Sequence, residues 1–177
     1  MRGGSMKRLV KAALLVAGTA LALSAAPAMP ATAAASGSET FTGTIVFSAV
    51  RGTDTRTVIG SVVVARGVFR GVGRVVELSQ PLGQDDLVFP SGIMHVVSTL
   101  GDLSFSINPH SCLFTGTQQL TWDVTGGTGQ FADAAGSVTG TVSAVALLAR
   151  NPDGSCSLTQ QPGHEVDKFA ESGTLSF

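Results

Sequence analysis

The chain has no tyrosine, only two cysteines, and few charges, with 13% Asp, Glu, Lys and Arg combined. It has no surplus of cations, its formal net charge being −1, so it lacks the electrostatic footprint of a nucleic-acid binder. So few charges beside 44% apolar residues exclude a charged, disordered tail protein. No ten-residue run after the first segment has convincing helical periodicity, and the 22 glycines argue against a helical bundle, where each costs about 1 kcal/mol against alanine. Phosphate-loop, nucleophile-elbow and calcium-loop patterns are also missing. What is present is a Gly-, Val-, Thr- and Ser-rich chain of 177 residues, a length that suits one domain.

Residues 1–35 have the layout of a secretory signal. Arg2, Lys7, Arg8 and Lys11 are followed by an apolar run from Ala12 to Ala26 and then by Pro27, Pro30 and Ala31–Ala35. The run is shorter than the roughly 20 residues of a spanning helix, which favours a cleaved signal over a retained anchor. Cleavage after Ala33 or Ala35 satisfies the small-residue preference, with Ala35 preferred. The remaining chain, residues 36–177, then carries 7 cations against 12 acids, a net charge of −5. That composition predicts a secreted protein with no membrane span after cleavage and no nucleic-acid partner. Cys112 and Cys156, an even pair in an exported chain, predict one disulfide. A metal or redox pair needs a closer spacing and a ligand pattern that His95, His110 and His164 do not supply, so no metal and no cofactor are expected.

From Glu39 onward, apolar residues alternate with polar ones and turn signals recur every ten or so positions, which predicts an antiparallel all-β sandwich or barrel. The expected strands are Phe41–Ser48, Thr57–Ala65, Val72–Leu78, Leu87–Thr99, Leu103–Asn108, Leu113–Val124, Ser137–Ala149 and Phe169–Phe177. Turns are expected at Arg51–Asp54 and Asn151–Gly154, and a polar loop at Gln80–Asp86 in which Asp85 and Asp86 are solvated. Gly67, Gly71 and Gly73 suggest a bulge or bend, and Pro90 and Gly92 a bend within one strand. Eight strands in about 140 residues allow the sheet to close on itself and lose its edges.

The densest motif runs from Gly126 to Gly136. Its glycines are read as a turn, with Phe131 plugging one end of a barrel. Gly126, Gly127, Thr128, Gly129, Phe131, Ala134 and Gly136 match the signature G-G-T-G-x-F-x-x-A-x-G, and the segment resembles that of dirigent proteins and allene oxide cyclases. The start at Phe41–Ile45 is similar too, so the resemblance extends over residues 38–177. It implies an eight-stranded antiparallel, calycin-like β-barrel with a cavity, as in bacterial secreted members of that superfamily, and a homo-oligomer, a trimer or dimer. Gln130 and Ala135 stand where catalytic dirigents place an acid and an arginine, so radical coupling is not implied.

Arg74, Glu77 and His95 are polar residues within apolar strands, and each either faces a cavity or faces solvent. Arg74 and Glu77 are an odd number apart, hence on opposite faces of a regular strand. His95 shares a face with Ile93 and Val97, which would let it point inward as an acid or base. Trp122 shares a face with Leu120 and Val124 and is read as core or as a pocket wall. Two functions follow. One is a barrel that holds a small apolar or aromatic ligand, extending to a cyclase or isomerase that works by positioning its substrate. The other is a non-catalytic binding or surface-interaction protein with a packed interior.

Overall fold

Inward-facing positions on the strands from Glu39 onward carry large apolar side chains, and the fold closes around them. The computed structural model describes residues 35–49, 56–78 and 83–177, so the signal segment and the Arg51–Asp54 turn lie outside the described residues. Eight strands follow in chain order: β1 (Ser36–Ala49), β2 (Arg56–Gly67), β3 (Arg70–Glu77), β4 (Gln84–Phe89), β5 (Gly92–Asn108), β6 (Leu113–Gly127), β7 (Ala135–Leu147) and β8 (His164–Ser176). Each pairs antiparallel with the next, and β8 pairs with β1, so the sheet is a closed, up-and-down, eight-stranded barrel. Closure gives every strand a partner on both sides, which covers most of the strand edges.

The interior is built by parity. On β1 the inward positions are Glu39, Phe41, Ile45 and Phe47, and on β6 they include Leu120, Trp122 and Val124. On β8, Phe169 and Leu175 fix the inward face. Gly43 also faces in, where a Cβ would stand 2.2 Å from the Phe169 ring, so this glycine makes room for that ring to cross the barrel.

Strand number matches the expectation, but the division of the chain differs in the middle. Leu87–Thr99 is not one bent strand: β4 stops at Phe89, Pro90 and Ser91 turn the chain, and β5 begins at Gly92. Proline lacks the N–H a ladder needs, so it ends the strand here. Conversely, Leu103–Asn108 is not separate, since β5 runs through to Asn108 with a register irregularity between Leu100 and Leu103. The glycines of β3 make no bulge against β2, whose pairing runs without a shift from Arg66↔Arg70 to Val63↔Gly73. Gly71 and Gly73 instead vacate space, because a Cβ there would meet the rings of Phe69 and Phe89 at 2.4 and 2.7 Å. Beyond Gly73 the two strands part, and Ser61 Oγ takes over, donating to the Val75 carbonyl and accepting its N–H.

Two ends of this barrel differ. At the end where β4 meets β5, four phenylalanines, Phe69, Phe89, Phe131 and Phe177, close the interior with ring centroids 4.9–6.4 Å apart. Phe131 arrives on a short 3₁₀ turn, Gly129–Phe131, and is fully buried. That turn is tied to the β4–β5 connection: Thr128 N–H donates to the Ile93 carbonyl, Thr128 Oγ1 accepts the Ile93 N–H, and Gln130 N–H donates to the Ser91 carbonyl. Gly129 takes φ 60°, a left-handed conformation glycine adopts at no steric cost, and a Cβ there would strike the Ser91 carbonyl. The Gly126–Gly136 segment thus places a stopper.

Cys112 and Cys156 are bonded, with Cα atoms 5.3 Å apart. The bond joins the β5–β6 turn to the long β7–β8 connection, beside the other end. Arg150 reinforces it by donating to the carbonyls of Gly154 and His110.

Candidate functional site

An eight-stranded barrel is just wide enough inside for side chains to fill it or for one small ligand. Large rings fill the stoppered half. In the other half the inward positions include Ser98, Gly116 and Ala144, which are too small to meet across the axis. The result is an open-mouthed cavity of about 460 Å³. Its apolar wall is made by Ile45, Leu120, Trp122, Val142 and Phe169. Trp122 is only 2% exposed, stands edge-on to Phe169 with centroids 5.0 Å apart, and leaves its indole Nε1–H without an acceptor.

The mouth is acidic. Glu77 at the end of β3 pairs across the ladder with Asp85 of β4, while Glu165 and Asp167 come from the start of β8. Among the described residues of the wall the one cation is Arg56. It donates to Glu165 Oε2 at 3.0 Å and to Glu77 Oε1 at 3.5 Å, while its guanidinium lies 4.0 Å above the Phe47 ring. Asp85 accepts a hydrogen bond from Ser98 Oγ. Asp167 Oδ1 is buried with no partner.

Burial governs the protonation of these groups. It pushes the Asp167 carboxyl up to about 7, and the negative charge of Glu165 adds to the push. Glu77 and Asp85 are raised by burial as well; Arg56 opposes the shift at Glu77, and the Ser98 hydrogen bond opposes it at Asp85. Further in, past Phe169 on the same face of β8, Glu171 is 2% exposed and neither carboxyl oxygen has a partner. Burial, with the charge of Asp85 adding to it, raises Glu171 to about 8. Both Glu171 and much of Asp167 are therefore protonated at neutral pH. The other buried glutamate, Glu39, is satisfied: it accepts the N–H groups of Phe69 at 2.9 Å and Thr40 at 3.2 Å.

The four residues singled out from the sequence separate. Glu77 and Trp122 line the cavity. Arg74 is exposed on the outer face of β3. His95 does not point inward, which corrects that expectation: Met94 and Val96 take the inward positions of β5. The imidazole, 45% exposed, meets Asp86 with Nδ1 2.6 Å from Oδ1 on the outside of the barrel. Both faces of this stretch are apolar in sequence, so parity alone did not distinguish them. Asp85 and Asp86 are not loop residues either: β4 begins at Gln84, and strand alternation sends Asp85 inward and Asp86 outward.

Arg56, Glu165, Asp167 and Glu171 were missed from the sequence. The expected last strand began at Phe169, which cut off the acidic stretch before it. Extending the parity of Phe169 and Leu175 backward would have placed Asp167 and Glu165 inside.

No three acidic, histidine or cysteine side chains among the described residues come together in an arrangement able to hold a metal ion. No helix among them is long and apolar enough to cross a membrane. Neither a family model, nor a curated protein, nor a solved structure matches the chain.

Proposed function

We propose that this protein is a secreted β-barrel that holds one small molecule with an apolar or aromatic body in the open half of its interior. The observation that carries the reading is the cavity itself, about 460 Å³ with Trp122 and Phe169 in its wall, in a barrel whose other half is solidly packed. A volume of that size falls in the range of small-molecule sites, and concave apolar walls with a few polar groups are their usual make-up. Export is supported by the signal-like leader and the disulfide. Membership of the allene oxide cyclase and dirigent superfamily is supported by the barrel topology together with the Gly126–Gly136 turn.

Catalysis by substrate positioning, in a cyclase or isomerase, is the extension of this reading. What favours it over passive binding is the set of ionisable groups on the wall, since Asp167 can give or take a proton near neutral pH. Native mass spectrometry of protein purified from its own source tests the ligand reading. A small-molecule adduct shed on collisional activation is expected, and the same spectrum gives the subunit number. Bare monomer at every activation energy would count against both a held ligand and a trimer.

A further inference from the structure

Four carboxyl groups, Glu77, Asp85, Glu165 and Asp167, line the mouth of the cavity on the side of β3, β4 and β8, against one guanidinium. Arg56 is already committed to Glu77 and Glu165. Among the described residues, Asp85 has the Ser98 hydroxyl as its side-chain hydrogen-bond partner, and one oxygen of Asp167 has none. Carboxyl groups held in a partly buried site with one cation among four acids are costly to ionise, and a further cation placed among them lowers that cost. A further observation points to an occupant: Trp122, almost wholly buried in the cavity wall, has an indole N–H with no partner among the described residues.

We propose that the ligand of this cavity is an organic amine, its ammonium group held at the acidic mouth with Asp167 as the principal acceptor and its apolar or aromatic body against Trp122 and Phe169. This rests on the ligand-binding reading above and narrows it to a chemical class. A primary ammonium brings three donors to a site whose carboxyl oxygens include acceptors without a partner among the described residues. A metal ion fits the rim less well, because the described carboxylates are spread along it and not gathered on one point. An anionic ligand would face an excess of like charge.

The pairing has a pH signature. Asp167 faces Glu165 on its own strand, Arg56 of β2 and Glu77 of β3, while its ladder neighbours Ile45 and Ala144 carry no charge. Its raised carboxyl is mostly protonated at pH 5 and mostly ionised at pH 8. Amine affinity therefore rises between those values, whereas a neutral ligand's does not.

Calorimetric titration of the full chain with three isosteric probes tests this: 2-(1-naphthyl)ethylamine, 2-(1-naphthyl)ethanol and 1-naphthaleneacetate. The amine is expected to bind at least tenfold more tightly than the alcohol at pH 8, with the gap falling below threefold at pH 5, and the carboxylate is expected to bind weakest. Asp167→Asn is expected to close most of the gap by lowering amine affinity much more than alcohol affinity. Asp85→Asn, checked for folding by its thermal transition, serves as the second variant. Equal affinity for amine and alcohol at pH 8, or preference for the carboxylate, would overturn the amine assignment and leave the apolar cavity reading standing. Failure of all three probes to bind would overturn both.

Discussion

The two halves of this barrel are made by the same strands with the same alternation, yet one is solid and the other hollow. In the closed half, inward positions and the Gly126–Gly136 turn deliver Phe69, Phe89, Phe131 and Phe177 to one point. In the open half, Ser98, Gly116 and Ala144 stand back and acids line the mouth. The two buried glutamates also differ: Glu39 holds the Phe69 N–H, whereas Glu171 has no partner among the described residues. Topology therefore does not separate the closed end from the open one; side-chain size and unpaired polar groups do.

If the closed half carries the stability, Phe131→Ala should cost about 3–5 kcal/mol in urea unfolding, the usual loss for a large ring removed from a packed core. Leu103→Ala, at the rim of the hollow and 48% exposed, should change stability by under about 0.5 kcal/mol. Equal losses would erase the distinction between the halves.

The disulfide braces the open end, where no aromatic stopper does so. Replacing both Cys112 and Cys156 by Ser should lower stability by about 2–4 kcal/mol, as closing a loop of 44 residues constrains the unfolded chain. A smaller loss would mean that the β7–β8 connection is held in place by its hydrogen bonds alone.

A smaller, pH-dependent effect separates the two glutamates. The folded state raises Glu171 from about 4.5 to about 8, so its contribution is fully favourable below pH 4.5 and is lost as pH rises through 8. Glu171→Gln keeps the shape and cannot ionise. It should leave stability at pH 4 nearly unchanged and raise it at pH 9 by on the order of 1–3 kcal/mol. Glu39→Gln should give no such gain, since it disturbs the carboxyl that accepts the buried Phe69 N–H. Denaturant unfolding of both variants across pH 4–9 reads the difference.

Much of the fold was legible because period-two alternation is a local signal. Phe41, Ile45 and Phe47 mark β1, and Leu120, Trp122 and Val124 mark β6, without any knowledge of what they pack against. The disulfide followed from an even pair of cysteines behind a signal-like leader. Boundaries were less legible, since Pro90 and Gly92 are compatible with a bend or with a reversal, and only the pairing of β4 with β5 decides. The site was least legible. His95 stands in a stretch that is apolar on both faces, so its direction depends on whether Met94 or Ile93 meets the core. The acids of β8 lie in a polar segment that reads as loop unless the parity of Phe169 is carried backward through it. Arg56 is identified only by closure, which brings β2 and β8 to opposite sides of β1 and lets one guanidinium reach Glu165.

Trp122 is the chain's only tryptophan and forms part of the cavity wall, so its fluorescence reports on the hollow half alone. Titration with the neutral fluorophore N-phenyl-1-naphthylamine should show saturable, one-to-one energy transfer from Trp122, reversed by 2-(1-naphthyl)ethylamine at pH 8. Absence of energy transfer at any fluorophore concentration below its solubility limit, with the protein folded, would contradict the claim that the open half of the barrel is a ligand site.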